Sequence, residues 1–435
     1  MAVKHQAPRG TRDLLPGEIE RWQWAEARAR SVLERYGYGE IRTPVFEDYE
    51  LFARTSGESS EVVQKEMYRF QDLGERDLAL RPEGTAGVCR AYLEQGLGGR
   101  ARIHRLWYMG PMFRYGRPQK GRYRQFWQIG AEVIGTPAPG ADIEIIALFV
   151  DLFEAWGMTN LTVAVNSVGT PETRRHYGER LTAWLAPVRE RLSEDSQRRL
   201  ESNPLRVLDT KSPEDLALLR GEGWPSNPGA LPRMIDVLDD ASREHFTSVL
   251  DGLNALGIAH EIDHGLVRGL DYYTRTAFEV HDRSLGAQSA LGGGGRYDGL
   301  IQELGGPPTP GVGFSIGLDR SLLVLEQRGL GPGARRPGVF VAAMDSTRDE
   351  ALALVRRLRR AWPVDVDLEA RGLGAQMKAA DKSGAAWLVL LGEEEHTRGE
   401  VVLKDLHGGA QQAVAIDRLD EELRARLGPG EDDSA

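Results

Sequence analysis

Tyr108-Met-Gly-Pro-Met-Phe-Arg-Tyr-Gly-Arg-Pro-Gln-Lys-Gly-Arg-Tyr-Arg-Gln-Phe-Trp-Gln-Ile-Gly-Ala-Glu132 decides the fold. Ala101 to Arg114 and Arg124 to Ile134 are predicted strands, joined by a loop rich in Gly, Pro, Lys and Arg. Alternation puts Phe126, Gln128, Gly130 and Glu132 on one face of the second strand. An aromatic, an amide and a carboxylate make a poor core. They suit a ligand site: a stacking surface, an orienting amide and an acid for an N–H-bearing ligand. The competing reading is the solvent-facing polar side of a hairpin.

Four further stretches carry polar side chains in unusual company. Leu266-Val-Arg-Gly-Leu-Asp-Tyr-Tyr-Thr274 leads into Ala277-Phe278-Glu279-Val280, which alternates like a strand. A guanidinium on such a strand needs an anionic partner, either Asp271 or a phosphate. Leu291-Gly-Gly-Gly-Gly-Arg-Tyr-Asp298 is a glycine-rich turn or a place where backbones approach closely. It fits neither a dinucleotide fingerprint nor a P-loop. Gly311-Val-Gly-Phe-Ser-Ile-Gly-Leu-Asp-Arg320 is a strand delivering Arg320 to the first turn of a helix, a place for either phosphate or a surface ion pair. Arg81-Pro-Glu-Gly-Thr85 enters a helix, so Glu83 and Thr85 either cap it or bind an ammonium group.

The chain has 435 residues, enough for two or three domains, and a net charge of −10 that argues against indiscriminate nucleic-acid binding. A local basic field exists nonetheless: Arg100 to Arg124 holds eight Lys or Arg and no Asp or Glu. The lone cysteine, Cys89, excludes an intrachain disulfide and a cysteine zinc cluster, and reads as a small core residue. No signal-peptide pattern or membrane-spanning run is seen, so a cytoplasmic protein without membrane association is expected.

Glu18 to Tyr36 is a predicted amphipathic helix ended by Gly37. Residues 172–256 are charged and helical in period, as at Leu181–Leu192 and Ala241–Leu256, and read as a helical insertion. Strand-like chain resumes from Ala259 to about Gly317, and residues 329–337 read as a linker. A βαβ rhythm follows: strands at Val339–Ala343, Val364–Leu368 and Trp387–Leu391, helices at Arg348–Trp362 and 374–382. The tail, 426–435, is expected to be disordered.

Taken together these segments resemble the histidyl-tRNA synthetase family of class II aminoacyl-tRNA synthetases. Phe113-Arg114 through Arg124 resembles motif 2, and Gly311–Arg320 motif 3; motif 1 falls near Ile41-Arg-Thr-Pro44. Leu266–Thr274 and Gly292–Leu300 look like the two histidine-specific signatures. Arg9-Gly-Thr-Arg-Asp-Leu-Leu-Pro16, Thr55-Ser-Gly-Glu58 and Lys65-Glu-Met-Tyr68 match the N-terminal pattern, and Gln376–Ala385 the anticodon-binding domain. The chain departs from the family's usual residues at Gly116 (Glu), Trp127 (His) and Gly292 (Cys).

The resemblance implies an α+β fold. It has a catalytic core with an antiparallel sheet (1–171 and 257–328), interrupted by the helical insertion, and a C-terminal α/β anticodon-binding domain (338–425). It implies activation of L-histidine by ATP with Mg²⁺ on the phosphates, no dedicated protein metal site, transfer to tRNA(His), and a homodimer. Arg114 and Arg268 would hold the α-phosphate and carboxylate region, Arg320 the γ-phosphate end, and Phe126 the adenine. Glu83, Thr85 and Gln128 would take the amino group. Glu132 and Tyr273 would bond the imidazole nitrogens, with Tyr272 beside them. Arg117, Gln119, Lys120, Arg122 and Arg124 would meet the tRNA acceptor end. If Leu266–Thr274 is extended, residues 268, 270 and 272 share one face and Asp271 and Tyr273 the other, leaving phosphate as the better partner for Arg268.

Three other readings compete. The regulatory paralogue of ATP phosphoribosyltransferase shares the catalytic fold but tends to lack the anticodon domain and the full arginine set. A class II synthetase for glycine, proline or threonine is disfavoured by the Arg268–Tyr273 signature and by Glu132. A structural protein with degenerate sites would leave these arginines idle.

Overall fold

This computed structural model describes residues 5–56, 62–117, 121–227, 229–267, 272–282, 290–333, 338–369 and 371–428. It divides into two units, residues 1–332 and 333–435. In chain order the first unit contains α1 (Ile19–Arg35), β1 (Gly39–Glu40), β2 (Phe46–Asp48), α2 (Tyr49–Ser56), β3 (Tyr68–Gln71), β4 (Asp77–Leu80) and α3 (Thr85–Glu94). There follow β5 (His104–Phe113), β6 (Gln125–Ile134), α4 (Pro139–Ala155), β7 (Leu161–Ser167), α5 (Pro171–Leu185), α6 (Glu194–Ser202), α7 (Pro213–Leu219) and α8 (Asp240–Ala255). Last come β8 (His260–Ile262), β9 (Thr274–Asp282), β10 (Ala290–Arg296), α9 (Leu300–Glu303), β11 (Gly311–Gly317) and α10 (Leu318–Gln327).

Among the described residues, eight strands form one sheet in the order β1-β5-β6-β11-β10-β9-β7-β8. The hairpin read from the sequence is β5–β6, antiparallel with Tyr108 opposite Gly130. The interior pairs are antiparallel; only the edge pairs β1–β5 and β7–β8 run parallel. The four glycines form no turn. They lie in β10, between β9 and β11.

One face of the sheet is covered by α1, α4, α8 and α10, whose apolar residues share a core with Ile129, Ala131 and Val133 of β6. In α1 the inward residues Trp22, Ala25, Ala29, Val32 and Leu33 follow the helical period. The opposite face carries Tyr108, Tyr272, Tyr273 and Tyr297, closed by Val88 and Cys89 of α3 and by α9. Alternation along β6 thus sorts its residues between an apolar core and a polar, aromatic layer.

The region 172–256 is helical, with two corrections. Pro187 closes the helix early: α5 stops at Leu185 and the chain continues as a tight 3₁₀ segment to Arg191. The second concerns α8. The insertion's own core runs from Tyr177 to Leu238, whereas Phe246, Val249 and Leu253 of α8 join the core of the main sheet. Asp239, whose carboxylate accepts the Ser242 N–H at 2.8 Å, caps α8 and marks the change.

The second unit contains β12 (Val339–Ala343), α11 (Arg348–Leu358), β13 (Val364–Val366), α12 (Leu373–Ser383), β14 (Trp387–Leu391), α13 (Glu393–Thr397), β15 (Glu400–Asp405), β16 (Gln411–Ala415) and α14 (Leu419–Leu427). Its described strands run β13-β12-β14-β15-β16. The first three are parallel, as the βαβ rhythm predicts; β15 and β16 add an antiparallel hairpin that the sequence reading passed over. Residues 334–337 of the expected linker and 429–435 of the tail lie outside the described residues. No helix among the described residues is long and apolar enough to cross a membrane.

Candidate active site

Glu132 sits on the polar face of β6 and is fully buried, so the reading of a solvent-facing hairpin side fails. Its Oε1 accepts the Thr85 hydroxyl at 2.7 Å and the Tyr108 hydroxyl at 3.4 Å, and its Oε2 accepts the Tyr297 hydroxyl at 2.7 Å. These donors favour the carboxylate, but burial outweighs them and pushes the Glu132 pKa up to about 8. Gly313 of β11 makes the room: a Cβ there would stand 1.7 Å from Glu132 Oε2. The neighbouring strand can therefore carry no side chain at that point.

Glu83 belongs to the turn entering α3. Its carboxylate accepts the backbone N–H of Thr85 at 2.6 Å and of Ala86 at 2.9 Å, so it does cap the helix. It also lines the cleft, and burial pushes its pKa up against those two N–H groups and Arg114. Arg81, just before it, is a structural tie. It is buried and donates to the carbonyls of Thr43 and Pro111, both at 2.9 Å.

The cleft has a volume of about 180 Å³ and is lined by Glu83, Thr85, Arg114, Tyr272, Tyr273 and Tyr297, among others. Arg114 donates from Nε to the Pro82 carbonyl at 2.8 Å, and its guanidinium lies 5.6 Å from the centre of the Phe126 ring. Tyr272 and Tyr273 stand side by side, ring centres 4.7 Å apart. This corrects the assignment of the two tyrosines to opposite faces. Tyr272 lies in a turn and β9 starts only at Thr274, so the period of two does not reach them. Gly295 of β10 leaves space for the Tyr273 ring, whose Cδ1 would be 2.7 Å from a Cβ at that position.

Gln128 is buried, and its Oε1 has no hydrogen-bond partner among the described residues. Such an acceptor is costly unless a ligand donates to it. Arg320 occupies the first turn of α10; burial, then the charge of Arg122, lowers its pKa. Arg117 and Arg122 are exposed. Arg124 is not available in the same way. Its guanidinium lies 3.7 Å from the centre of the Tyr115 ring and donates to the Arg9 carbonyl at 3.4 Å. Gly57, Glu58, Gln119, Lys120 and Arg268 to Asp271 lie outside the described residues.

Two residues that contact Glu132 were not anticipated, Tyr108 and Tyr297. Tyr108 had a signal: a tyrosine opposite Gly130 across a hairpin marks a ring lying over glycine. Tyr297 lies in the Gly292–Leu300 signature, but its contact with Glu132 depends on the register of β10 against β9 and β11. No group of three or more His, Cys, Asp or Glu among the described residues could hold a metal ion.

The arrangement is a small cleft lined by the buried Glu83 and by Arg114, whose guanidinium faces the Phe126 ring, with the buried Glu132 carboxyl group hydrogen-bonded to Thr85 and Tyr297 of the lining. It suits a small zwitterion whose carboxylate meets a second, anionic substrate. Comparison with known proteins gives the family. Residues 10–320 match the family model described as histidyl-tRNA synthetase, and residues 338–426 the one described as anticodon binding domain. The histidine–tRNA ligase of Thermosynechococcus vestitus is 48% identical over 425 residues, covering 97% of each chain. That of Desulforamulus reducens is 48% identical over 422 residues, covering 96% of this chain and 99% of its own. The apo histidyl-tRNA synthetase of S. aureus superposes with a TM-score of 0.79 at 35% identity, covering 97% of this chain and 100% of that one. The chain belongs to the histidyl-tRNA synthetase family.

Proposed function

We propose that the cleft over Glu132 is where this chain performs its family's ligase reaction, joining L-histidine to tRNA(His) at the expense of ATP. The observation that carries the assignment is the convergence of Glu83, Thr85, Arg114, Tyr272, Tyr273 and Tyr297 on one cleft above a buried carboxyl group. Glu83, Thr85 and the unsatisfied Gln128 Oε1 receive the substrate ammonium group. Glu132 and Tyr273 bond the two imidazole nitrogens. Tyr297 and Thr85 hold Glu132 still while this happens. A side chain lacking those nitrogens leaves buried polar groups unpaired, which rejects it by roughly 10⁴-fold or more.

In the first step the histidine carboxylate attacks the α-phosphorus of ATP and pyrophosphate leaves. Arg114, with Arg268 in the role its signature implies, meets the carboxylate and α-phosphate. Phe126 stacks on adenine, and Arg320 meets the γ-phosphate end at the start of α10. Negative charge moves among phosphoryl oxygens, so positioning and fixed cations supply the catalysis and no protein nucleophile is required. Mg²⁺ would sit with the ATP phosphates and offset their charge. In the second step the 3′-hydroxyl of the terminal adenosine attacks the histidyl carbonyl carbon and AMP leaves. The exposed Arg117 and Arg122 meet that acceptor end, and the second unit reads the anticodon. The protein works in the cytoplasm as a homodimer.

The regulatory reading loses its main support, because residues 338–426 match the anticodon binding domain. Single-turnover formation of histidyl-adenylate from ATP and histidine, without tRNA, tests the proposal. Adenylate should form in one equivalent per site, and its absence would refute the assignment.

A further inference from the structure

Arg9-Gly-Thr-Arg-Asp13 is a motif that the mechanism above leaves without a task. In the structure it is a belt around the return arm of the basic loop. The Arg124 backbone N–H donates to the Gly10 carbonyl at 2.7 Å, and the Arg124 guanidinium donates to the Arg9 carbonyl at 3.4 Å. Arg12 then reaches past the loop to α10. Its guanidinium lies 4.6 Å from the centre of the Tyr123 ring and donates to Asp319 Oδ1 at 3.4 Å, while Glu18 holds its other terminal nitrogen.

Asp319 links this belt to the site. It is nearly buried, and its Oδ2 accepts the Trp127 backbone N–H at 2.8 Å. The ladder between β6 and β11 ends at Gln128 opposite Gly317, so Asp319 continues it by one bond. The residue after Asp319 is Arg320; the residue before Trp127 is Phe126. A buried carboxylate with a backbone donor on one oxygen and a guanidinium on the other is fixed and compensated. Removing Arg12 leaves that charge without its guanidinium partner, directly after Leu318 at the head of α10 and directly before Arg320. The carboxyl group then either takes up a proton, weakening its hold on Trp127, or turns toward the arginines at 122 and 320.

We infer that Arg12 is a positioning residue that locks the basic loop to the start of α10 through Tyr123 and Asp319, and so sets Arg320 and Phe126 for the nucleotide. This rests on the assignment of Arg320 and Phe126 to ATP, and the test separates the two claims. ATP–pyrophosphate exchange is measured in the full chain for wild type, Arg12→Ala, Arg12→Gln, Asp319→Asn and the Arg12→Ala/Asp319→Asn double variant. The KM for ATP should rise on the order of 10-fold in Arg12→Ala, with the KM for histidine within about 2-fold of wild type. The double variant should lose no more than the worse single one. Arg12→Gln, which keeps most of the volume without the charge, should behave like Arg12→Ala and replaces it if that variant does not fold. An unchanged KM for ATP overturns the inference. So does a parallel rise in both KM values with a lowered melting temperature, which marks a purely structural role. A wild type with no histidine-dependent exchange instead overturns the assignment of the site.

Discussion

Tyr297 and Glu132 lie 165 residues apart in sequence, and their side chains meet at 2.7 Å between the Tyr297 hydroxyl and Glu132 Oε2. Both are buried, and Gly313 of the intervening strand clears the space between them. The bond fixes the carboxyl group that we propose selects the imidazole. Tyr297→Phe keeps the ring and removes the donor. Loss of a hydrogen bond to a buried acid costs about 1.5–3 kcal/mol, roughly 10- to 100-fold in kcat/KM for histidine. The KM for ATP should stay near wild type, and steady-state exchange measures both.

Burial raises the Glu132 pKa from the ordinary 4.5 to about 8, which makes a pH prediction. Below 4.5 the group carries its proton in both folded and unfolded chains. Between 4.5 and 8 the unfolded chain ionises while the folded one keeps the proton, so stability falls as pH rises through that window and levels off above it. Glu83, also pushed up by burial, acts with the same sign. Denaturant titrations of wild type and Glu132→Gln across this range isolate the Glu132 share: the slope should be shallower in the variant, and equal slopes would contradict the raised pKa.

Arg268 is expected to act on the developing phosphoryl charge. Arg268→Ala should lower adenylate formation by about 3–4 kcal/mol, on the order of 100- to 1000-fold, with the fold intact by circular dichroism. Near-normal exchange would mean that Arg268 is a structural partner of Asp271.

Gly116 stands where the family usually has Glu, and a Cβ there would lie 3.5 Å from Glu66 Oε1. That places a second carboxylate beside an existing one at the base of the basic loop. Gly116→Glu should change tRNA charging several-fold more than exchange if the loop meets the acceptor end as proposed. Equal effects on both reactions would remove the loop from tRNA recognition.

Much of the catalytic sheet was legible because periodicity reports on faces. The alternation Phe126, Gln128, Gly130, Glu132 is read directly, and the opposite residues do enter the helix-covered core. The strands of the second unit from Val339 to Leu391 follow from their apolar runs. What the sequence withheld was register between distant strands. Only the order β5-β6-β11-β10 brings Tyr108, Glu132, Gly313 and Tyr297 together. The glycines of β10 read equally as a turn, because glycine signals close approach without saying what approaches. The faces of Tyr272 and Tyr273 were misjudged because strand period was carried into a turn. The end of the insertion was misjudged because an amphipathic helix such as α8 does not reveal which core receives its apolar stripe.

The most direct test of the proposed function is which amino acid drives ATP–pyrophosphate exchange in this chain. Exchange should occur with L-histidine and not above background with any other amino acid, glycine, proline and threonine included. Exchange driven by any of those, or by none, would contradict the proposed function.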